Sequence, residues 1–174
     1  KIASMAATTI VVDAEQLVDA SACGCQVIDD NFESLVQELF TDMATRNNTY
    51  KDADMDLSSL DHFEEKVYMI VGFKRFAEHL TADGKEKLSV LLAKAESFYK
   101  LHFVIAEAAS TVSSISYEEW YKRHLNGSEG IWIGDGMADQ YCLKVSKITR
   151  ELYEDIGGEY GYSVVRNRPT LVKL

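Results

Sequence analysis

The stretch VYMIVGFKRF, residues 67–76, decides the fold of this chain. Its first five residues are apolar, as expected for a strand that is covered on both faces of a sheet. In α/β proteins that use nucleotides, such a strand often ends in carboxylates that hold a metal ion or activate water. Here the strand is followed by Gly72 and then by aromatic and basic residues. The stretch therefore predicts the strand of such a domain without the acids that usually follow it.

Strands and helices alternate on both sides of this stretch. Before it, the pattern predicts a strand that ends near Asp13, a short strand at 26–30 and an amphipathic helix at 30–50, with Asp30 or Asn31 as its cap. Residues 51–65 are polar and aperiodic, which predicts a surface loop. After it, we expect a turn at 73–80, a helix at 83–101, a strand at 102–108 and a helix at 113–127 ended by Gly127.

The last part of the chain is richer in glycine and in short apolar runs. Residues 130–145 predict a strand, a glycine turn and a second strand, and residues 161–174 predict a hairpin or an edge pair with Pro169 in the turn. Strands that alternate with long helices imply crossover connections and a largely parallel sheet. The predicted fold is therefore α/β, with a largely parallel central sheet flanked by helices, in a single domain spanning residues 1–174.

Composition restricts the class of partner. The chain has 174 residues, is 47% hydrophobic and carries a net charge of -10, with eleven carboxylates between residues 29 and 65. Duplex DNA and anionic lipid are held mainly through Lys and Arg contacts, so this balance disfavours both as partners. No apolar run approaches the roughly 20 residues of a membrane helix. The first residues read on into a strand, so we expect no signal peptide. The chain does not begin with methionine, and we expect it to be part of a larger protein.

Cysteine and histidine do not form a ligand pattern. Cys23 and Cys25 are too close for the usual zinc-ribbon pair, Cys142 stands alone, and the four histidines are scattered. We expect reduced thiols, as in a cytosolic compartment, and no metal site.

Several segments in order resemble the motor domain of the FtsK/SpoIIIE ATPases, and in particular the last ATPase module of the EssC type, the membrane-anchored motors of type VII secretion. Residues 38–50 (ELFTDMATRNNTY) resemble a helix of that family, and residues 66–80 (KVYMIVGFKRFAEHL) resemble its Walker B strand and turn. Residues 93–115 resemble the next helix and sensor strand, and residues 127–140 resemble a later glycine-rich strand and turn. The resemblance covers about residues 8–174 and implies a P-loop, RecA-like ATPase fold with degenerate motifs.

The chain departs from the family at its catalytic positions. It contains no G-x-x-x-x-G-K-[ST] motif, which in the family would precede Lys1. The two acids after the Walker B strand, which order Mg²⁺ and polarise water, are replaced by Gly72 and Phe73. Glu107, Ala108 and Ala109 stand where the family has its polar sensor. We therefore predict no catalytic residue and no cofactor in this chain, and leave nucleotide-binding residues unassigned; the resemblance implies ATP and Mg²⁺ for the parent protein.

Six residues are candidates for partner binding. Phe73, Lys74, Arg75 and Phe76 suit an exposed recognition turn, since aromatic residues and arginine are favoured as interface anchors. The alternative is that both phenylalanines fill the core while the two cations face water. Trp120 and Tyr121 form a second candidate patch, with burial on an amphipathic helix as the alternative.

Two acidic positions are candidate ligands of a different kind. Asp13, at a strand end, is a possible ligand, and a capping or turn role is the alternative. Asp135, between Gly134 and Gly136, is a possible cation or ribose ligand, and a plain turn is the alternative.

The resemblance implies a function for the parent protein. It would export secreted proteins as a homo-oligomeric motor on the cytoplasmic face of the membrane, and this soluble module would recognise substrate or regulate the other modules. Its partners would be secreted protein substrates and those modules, with no direct membrane contact. Two rivals remain: an active ATPase whose P-loop lies upstream, with Glu107 or a neighbouring subunit as its acid, and a DNA translocase, which the net charge disfavours.

Overall fold

Four parallel strands form the sheet of the first part of the chain. The computed structural model describes residues 7–94, 97–125 and 127–174. Within it the chain divides into two compact units, residues 1–108 and 109–174, which are described separately. The prediction of a single domain stays a prediction.

The first unit is built on the strand pattern that the sequence predicts. Its strands are β1 (Thr8–Asp13), β2 (Gln26–Ile28), β3 (Lys66–Val71) and β4 (Leu101–Ala106), all parallel, in the order β2-β1-β3-β4. A short helix, α1 (Ala20–Cys23), separates the first two strands. The registers place Asp13 opposite Val71 and Val71 opposite Ala106, so three strands end at one level. The predicted largely parallel sheet is confirmed.

Three further helices connect these strands. They are α2 (Phe32–Asp52), α3 (Phe73–Glu78) and α4 (Ala82–Ala93), with 3-10 turns at Leu57–Leu60 and Ser97–Tyr99. Helix α2 begins after Asn31, as predicted, although the Asn31 side chain makes no capping hydrogen bond. The turn predicted at 73–80 is helix α3, and the helix predicted at 83–101 ends at Ala93, before residues 95–96, which lie outside the described residues.

Arg46, on the buried face of α2, connects this helix to the residues that precede β3 and β4. Its guanidinium is 2% exposed and donates to the carbonyl oxygens of Glu64 at 2.9 Å and Tyr99 at 2.8 Å. It also forms a two-point ion pair with Asp42, one turn earlier. A buried charge needs such partners, because desolvating it alone is costly.

The second unit contains an antiparallel sheet. Its elements are α5 (Ala109–Ile115), a π-helical turn (Tyr121–Leu125), β5 (Gly130–Ile133), a 3-10 turn (Arg150–Tyr153), β6 (Tyr160–Val165) and β7 (Arg168–Lys173). The strand order is β5-β6-β7. Met137, Leu152, Tyr162 and Val164 form its buried core. The predicted terminal hairpin is confirmed.

Three predictions in this unit are wrong at the level of elements. The helix predicted at 113–127 ends at Ile115. There the hydroxyls of Ser114 and Ser116 donate to carbonyl oxygens three residues earlier, and these bonds compete with the backbone bonds of the helix. Residue 126 lies outside the described residues. No second strand forms among residues 134–145, whose backbone bonds run to loop residues, as from Lys144 to Gly127. Pro169 lies in β7, an edge strand that tolerates a missing N–H, and not in the turn.

Among the described residues, no helix has both the length and the apolar character needed to cross a membrane.

Candidate functional site

The ends of β1, β3 and β4 form the first candidate site. The backbone N–H of Ala14 donates to Val71 O at 3.2 Å, and that of Gly72 donates to Ala106 O at 3.0 Å, so the three strand ends remain joined one residue beyond the sheet. In open parallel sheets, ligands bind outside the carboxyl ends of the strands. This edge is therefore where a nucleotide site would be expected.

Gly72 holds the position where the resemblance places the first catalytic acid. Its φ of +71° is a left-handed conformation that favours glycine. A Cβ on residue 72 would lie 2.3 Å from Glu15 Cγ and 3.0 Å from Glu15 Oε1. The Glu15 side chain thus lies where a side chain on residue 72 would project, and its carboxylate is 3.5 Å from the Arg75 guanidinium. No aspartate fits at position 72 unless Glu15 moves.

Phe73 and Phe76 follow on helix α3 and point into the core. They are 4% and 1% exposed, and the Phe76 ring packs edge-on against Phe32 at 5.3 Å between centroids. Side chains this buried cannot contact a partner, so the surface interpretation of Phe73 and Phe76 is wrong and the core alternative is right. Lys74 and Arg75 are exposed, and their role in partner binding stays a prediction.

Glu107, which follows β4, accepts two backbone hydrogen bonds. Its Oε2 accepts from Lys74 N at 2.9 Å, in the first turn of α3, and its Oε1 accepts from Ala108 N at 2.8 Å. A carboxylate near free N–H groups at the start of a helix stabilises that end. Both Glu107 oxygens are therefore engaged, Oε2 in holding α3 against the end of β4 and Oε1 in the local turn after β4.

Asp13 is the one wholly buried carboxylate among the described residues, at 1% exposed. Its Oδ2 accepts from Val18 N at 2.7 Å, while its Oδ1 has no hydrogen-bond partner. The bond to Val18 fixes the loop after β1, which agrees with the capping alternative. Among the described residues, no group of three His, Cys, Asp or Glu side chains could hold a metal ion.

Asp135 closes a turn with its own hydrogen bonds. Trp132 Nε1 donates to the Asp135 carbonyl oxygen at 2.9 Å, and Asp135 Oδ1 accepts from Ile156 N at 3.0 Å. This arrangement agrees with the turn interpretation of Gly134-Asp135-Gly136.

The second candidate site is a cavity of about 850 Å³ within the second unit. It lies among α5, the π-helical turn and residues 140–144. The residues that line it are Ala109, Ser110, Val112, Ser113, Ser116, Tyr121, Lys122, Trp132, Gln140, Tyr141, Cys142 and Lys144. Trp120, predicted with Tyr121 as a docking patch, is 4% exposed, so its side chain is buried, in agreement with the alternative interpretation. Tyr121 lies in the cavity wall.

Two titratable groups of this cavity are uncharged at neutral pH. Burial raises the pKa of the Tyr121 hydroxyl, and the neighbouring Cys142 raises it further. Burial also raises the pKa of the Cys142 thiol, which donates to Ala109 O at 3.3 Å. Cys142 is a free thiol, and the side chain of Cys23 lies outside the described residues.

Sequence reasoning missed both Glu15 and the cavity. Nothing in the sequence near Glu15 indicates its role, because the side chain comes close to Gly72 only through the pairing between β1 and β3. The residues that line the cavity lie between positions 109 and 144, largely in loops, and loops have no periodic pattern from which such a cavity could be predicted.

Known structures with this fold include secretion ATPases and the pCW3 conjugation coupling protein TcpA. The cytoplasmic domain of EssC matches 96% of this chain and 33% of its own length, with a TM-score of 0.70 and 11% identity. EssC (ATPases 2 and 3) from Geobacillus thermodenitrificans matches 99% of this chain and 32% of its own, with a TM-score of 0.71 and 13% identity. Thermomonospora curvata EccC (ATPases 2 and 3), in complex with a signal sequence peptide, matches 96% of this chain and 30% of its own, with a TM-score of 0.64 and 18% identity.

The chain spans about a third of the length of these structures. No family model matches it, and no curated protein matches it. The predicted resemblance is confirmed as a resemblance of fold, because sequence identities this low show a shared fold alone. This chain has the α/β fold of the ATPase modules of the EssC and EccC secretion motors.

Proposed function

We propose that this chain is a catalytically degenerate ATPase-like module of a type VII secretion motor, and that it acts in substrate recognition or in regulation of the other modules. The observation that carries the proposal is the end of β3. Residue 72 has no side chain, its space is occupied by Glu15, and residue 73 is a core phenylalanine.

These features remove the groups on which phosphoryl transfer depends. Catalysis of this reaction is mainly positioning and charge stabilisation, by carboxylate-held Mg²⁺ and by a group that orients the attacking water. Glu15 is paired with Arg75, and Glu107 accepts from two backbone N–H groups. The acids near the strand ends thus serve the fold of this module.

A role in binding accords with the motors that share this fold. One of them, EccC, is in complex with a signal sequence peptide. By analogy, the partners of this module are secreted proteins and the other modules of a homo-oligomeric motor at the cytoplasmic face of the membrane. ATP and Mg²⁺ then act in those other modules.

The proposal is tested in a longer version of the protein that hydrolyses ATP. We expect Glu107→Gln and Glu15→Gln, made separately, to leave the turnover number unchanged, because neither carboxylate meets substrate. Circular dichroism verifies that each variant is folded. Loss of turnover in a folded Glu107→Gln variant would support the active-ATPase alternative and overturn the proposal.

A further inference from the structure

A small cavity of the first unit lies where helix α2 passes the start of β3. Its volume is about 340 Å³, at the lower end of the range of small-molecule sites. One face of α2, residues 62–64 of the loop before β3 and the first residues of β3 form its wall. The cavity therefore lies at the opposite end of β3 from Gly72 and is separate from the strand ends described above.

The Tyr68 side chain ends in this cavity with a hydroxyl that the fold does not use. The residue is 5% exposed, and its ring stacks on Phe103 at 5.9 Å between centroids. In the described part of the chain, the Tyr68 hydroxyl has no hydrogen-bond partner, and it opens on the cavity. Buried polar groups without a partner are rare, because leaving them unsatisfied costs free energy. A ligand atom in the cavity would satisfy this one.

The charges around the Tyr68 hydroxyl line the same cavity and give it a negative potential. Burial raises the pKa of Tyr68 from 10.0 to about 12, and the next largest cause is the negative charge of Asp42. The opposing effect of Arg46 ranks after that of Asp42, and Glu38 and Glu64 add to the rise. All four charged side chains line the cavity, so the hydroxyl faces it. A negative potential at this point favours a cation.

Two of the three carboxylates are open to a ligand. Asp42 is occupied, since it pairs with Arg46 at 2.9 Å and lies 3.9 Å from Lys66 Nζ. The exposed Glu38 forms no ion pair within the described ranges, and Glu64 accepts a side-chain hydrogen bond through one oxygen only. Among the described residues, the acids do not converge as the ligands of a metal ion would. An organic cation therefore suits the cavity better than a metal ion.

The apolar part of the wall adds the shape of that cation. Leu35, Leu39 and Phe63 line the cavity beside the acids. An ammonium group on an alkyl stem has three N–H donors for oxygen atoms, and its methylene groups pack on apolar surface, as lysine side chains do.

We propose that this cavity binds a primary alkylammonium group, which donates hydrogen bonds to the Tyr68 hydroxyl and to the carboxylates of Glu38 and Glu64 while its alkyl stem packs on Leu39 and Phe63. A free diamine and a lysine side chain of another protein both carry this group. The inference goes beyond the proposed function and does not depend on it.

Three probes of similar length test the inference. They are cadaverine, a five-carbon diamine; lysine blocked as its N-acetyl amide; and pentanediol, which has no charge. NMR titration of the whole chain at neutral pH, followed through the backbone amides, gives the Kd and the location. We expect an ammonium probe to bind saturably, with shifts centred on residues 38–46 and 62–68, and pentanediol to bind at least about tenfold more weakly, since hydrogen bonds that involve a charged group contribute on this scale. Binding of cadaverine alone would assign the site to small amines, and binding of the blocked lysine would assign it to a protein side chain.

Variants assign the binding to this cavity. Tyr68→Phe removes the hydroxyl and keeps the ring, so it should weaken binding of the ammonium probe about tenfold, and Glu38→Gln, at an exposed position, should weaken it in the same direction. Glu86→Gln, an exposed acid of α4 outside the cavity, is the control and should leave the Kd unchanged. The amide spectrum verifies that each variant is folded.

Three results would overturn the inference. They are failure of both ammonium probes to bind, binding of pentanediol as tight as that of the ammonium probes, and an unchanged Kd in the folded Tyr68→Phe and Glu38→Gln variants. The ATPase measurements judge the proposed function separately.

Discussion

Gly72 stands at the end of a predictable strand, at the position where a catalytic acid would be expected. The strand before it is predictable, because five apolar residues in a row are typical of a covered parallel strand. The absence of an acid is also visible in the sequence. What the sequence does not show is that the Glu15 side chain, from the loop after β1, occupies the space beside Gly72.

Replacement of Gly72 by alanine separates backbone strain from steric overlap. We expect Gly72→Ala to lower the free energy of unfolding by about 2 kcal/mol or more, from the positive φ and the clash with Glu15. Gly24→Ala is the matched control, because Gly24 has a φ of +65° with no atom near its Cβ position. Urea unfolding measures both. Equal losses in the two variants would show that the overlap with Glu15 adds no steric cost at position 72.

Tyr68 makes stability depend on pH in the alkaline range. Burial, and then the charge of Asp42, raise its pKa from 10.0 to about 12. The folded protein holds this proton more tightly than the unfolded chain, so the contribution to stability is present below pH 10 and is lost as pH rises to about 12. We expect Tyr68→Phe to reduce the alkaline decline by up to about 2 kcal/mol.

The measurement is urea unfolding between neutral pH and pH 12, with Tyr153→Phe, an exposed ring, as the control. The same alkaline slope in Tyr68→Phe and in the original protein would contradict this account.

Helix α3 is the element that the sequence pattern described least well. Residues 73–80 read as an exposed turn because Lys74 and Arg75 separate the two phenylalanines. In a helix, however, positions three apart share a face, so Phe73 and Phe76 enter the core together while Lys74 and Arg75 face outward. Six residues are too few to show a helical period.

Removal of a core ring tests this assignment. We expect Phe76→Ala to destabilise the protein by about 3 to 5 kcal/mol, as is typical for a buried phenylalanine. Lys74→Ala, its exposed neighbour on α3, should change stability by less than about 0.5 kcal/mol. Thermal or urea unfolding distinguishes them. A Phe76→Ala variant as stable as Lys74→Ala would return this side chain to the surface.

At the scale of the whole molecule, periodicity predicted the parallel sheet and the terminal hairpin. It did not predict how residues 116–125 and 134–145 fold, since many of their backbone bonds run between loops and their apolar residues have no regular spacing. The candidate sites follow the same division. The missing acid at position 72 can be read directly from the sequence. The position of Glu15 beside Gly72 and the cavity of the second unit cannot, because both result from contacts between distant segments.

The most direct test of the central claim is a calorimetric titration of this chain with Mg·ATP, accompanied by tryptophan fluorescence from Trp120 and Trp132. We expect no saturable, magnesium-dependent binding by the folded protein, because the described ends of β1, β3 and β4 present no free carboxylate pair. Saturable binding that requires magnesium would contradict it and would show that a working nucleotide site remains.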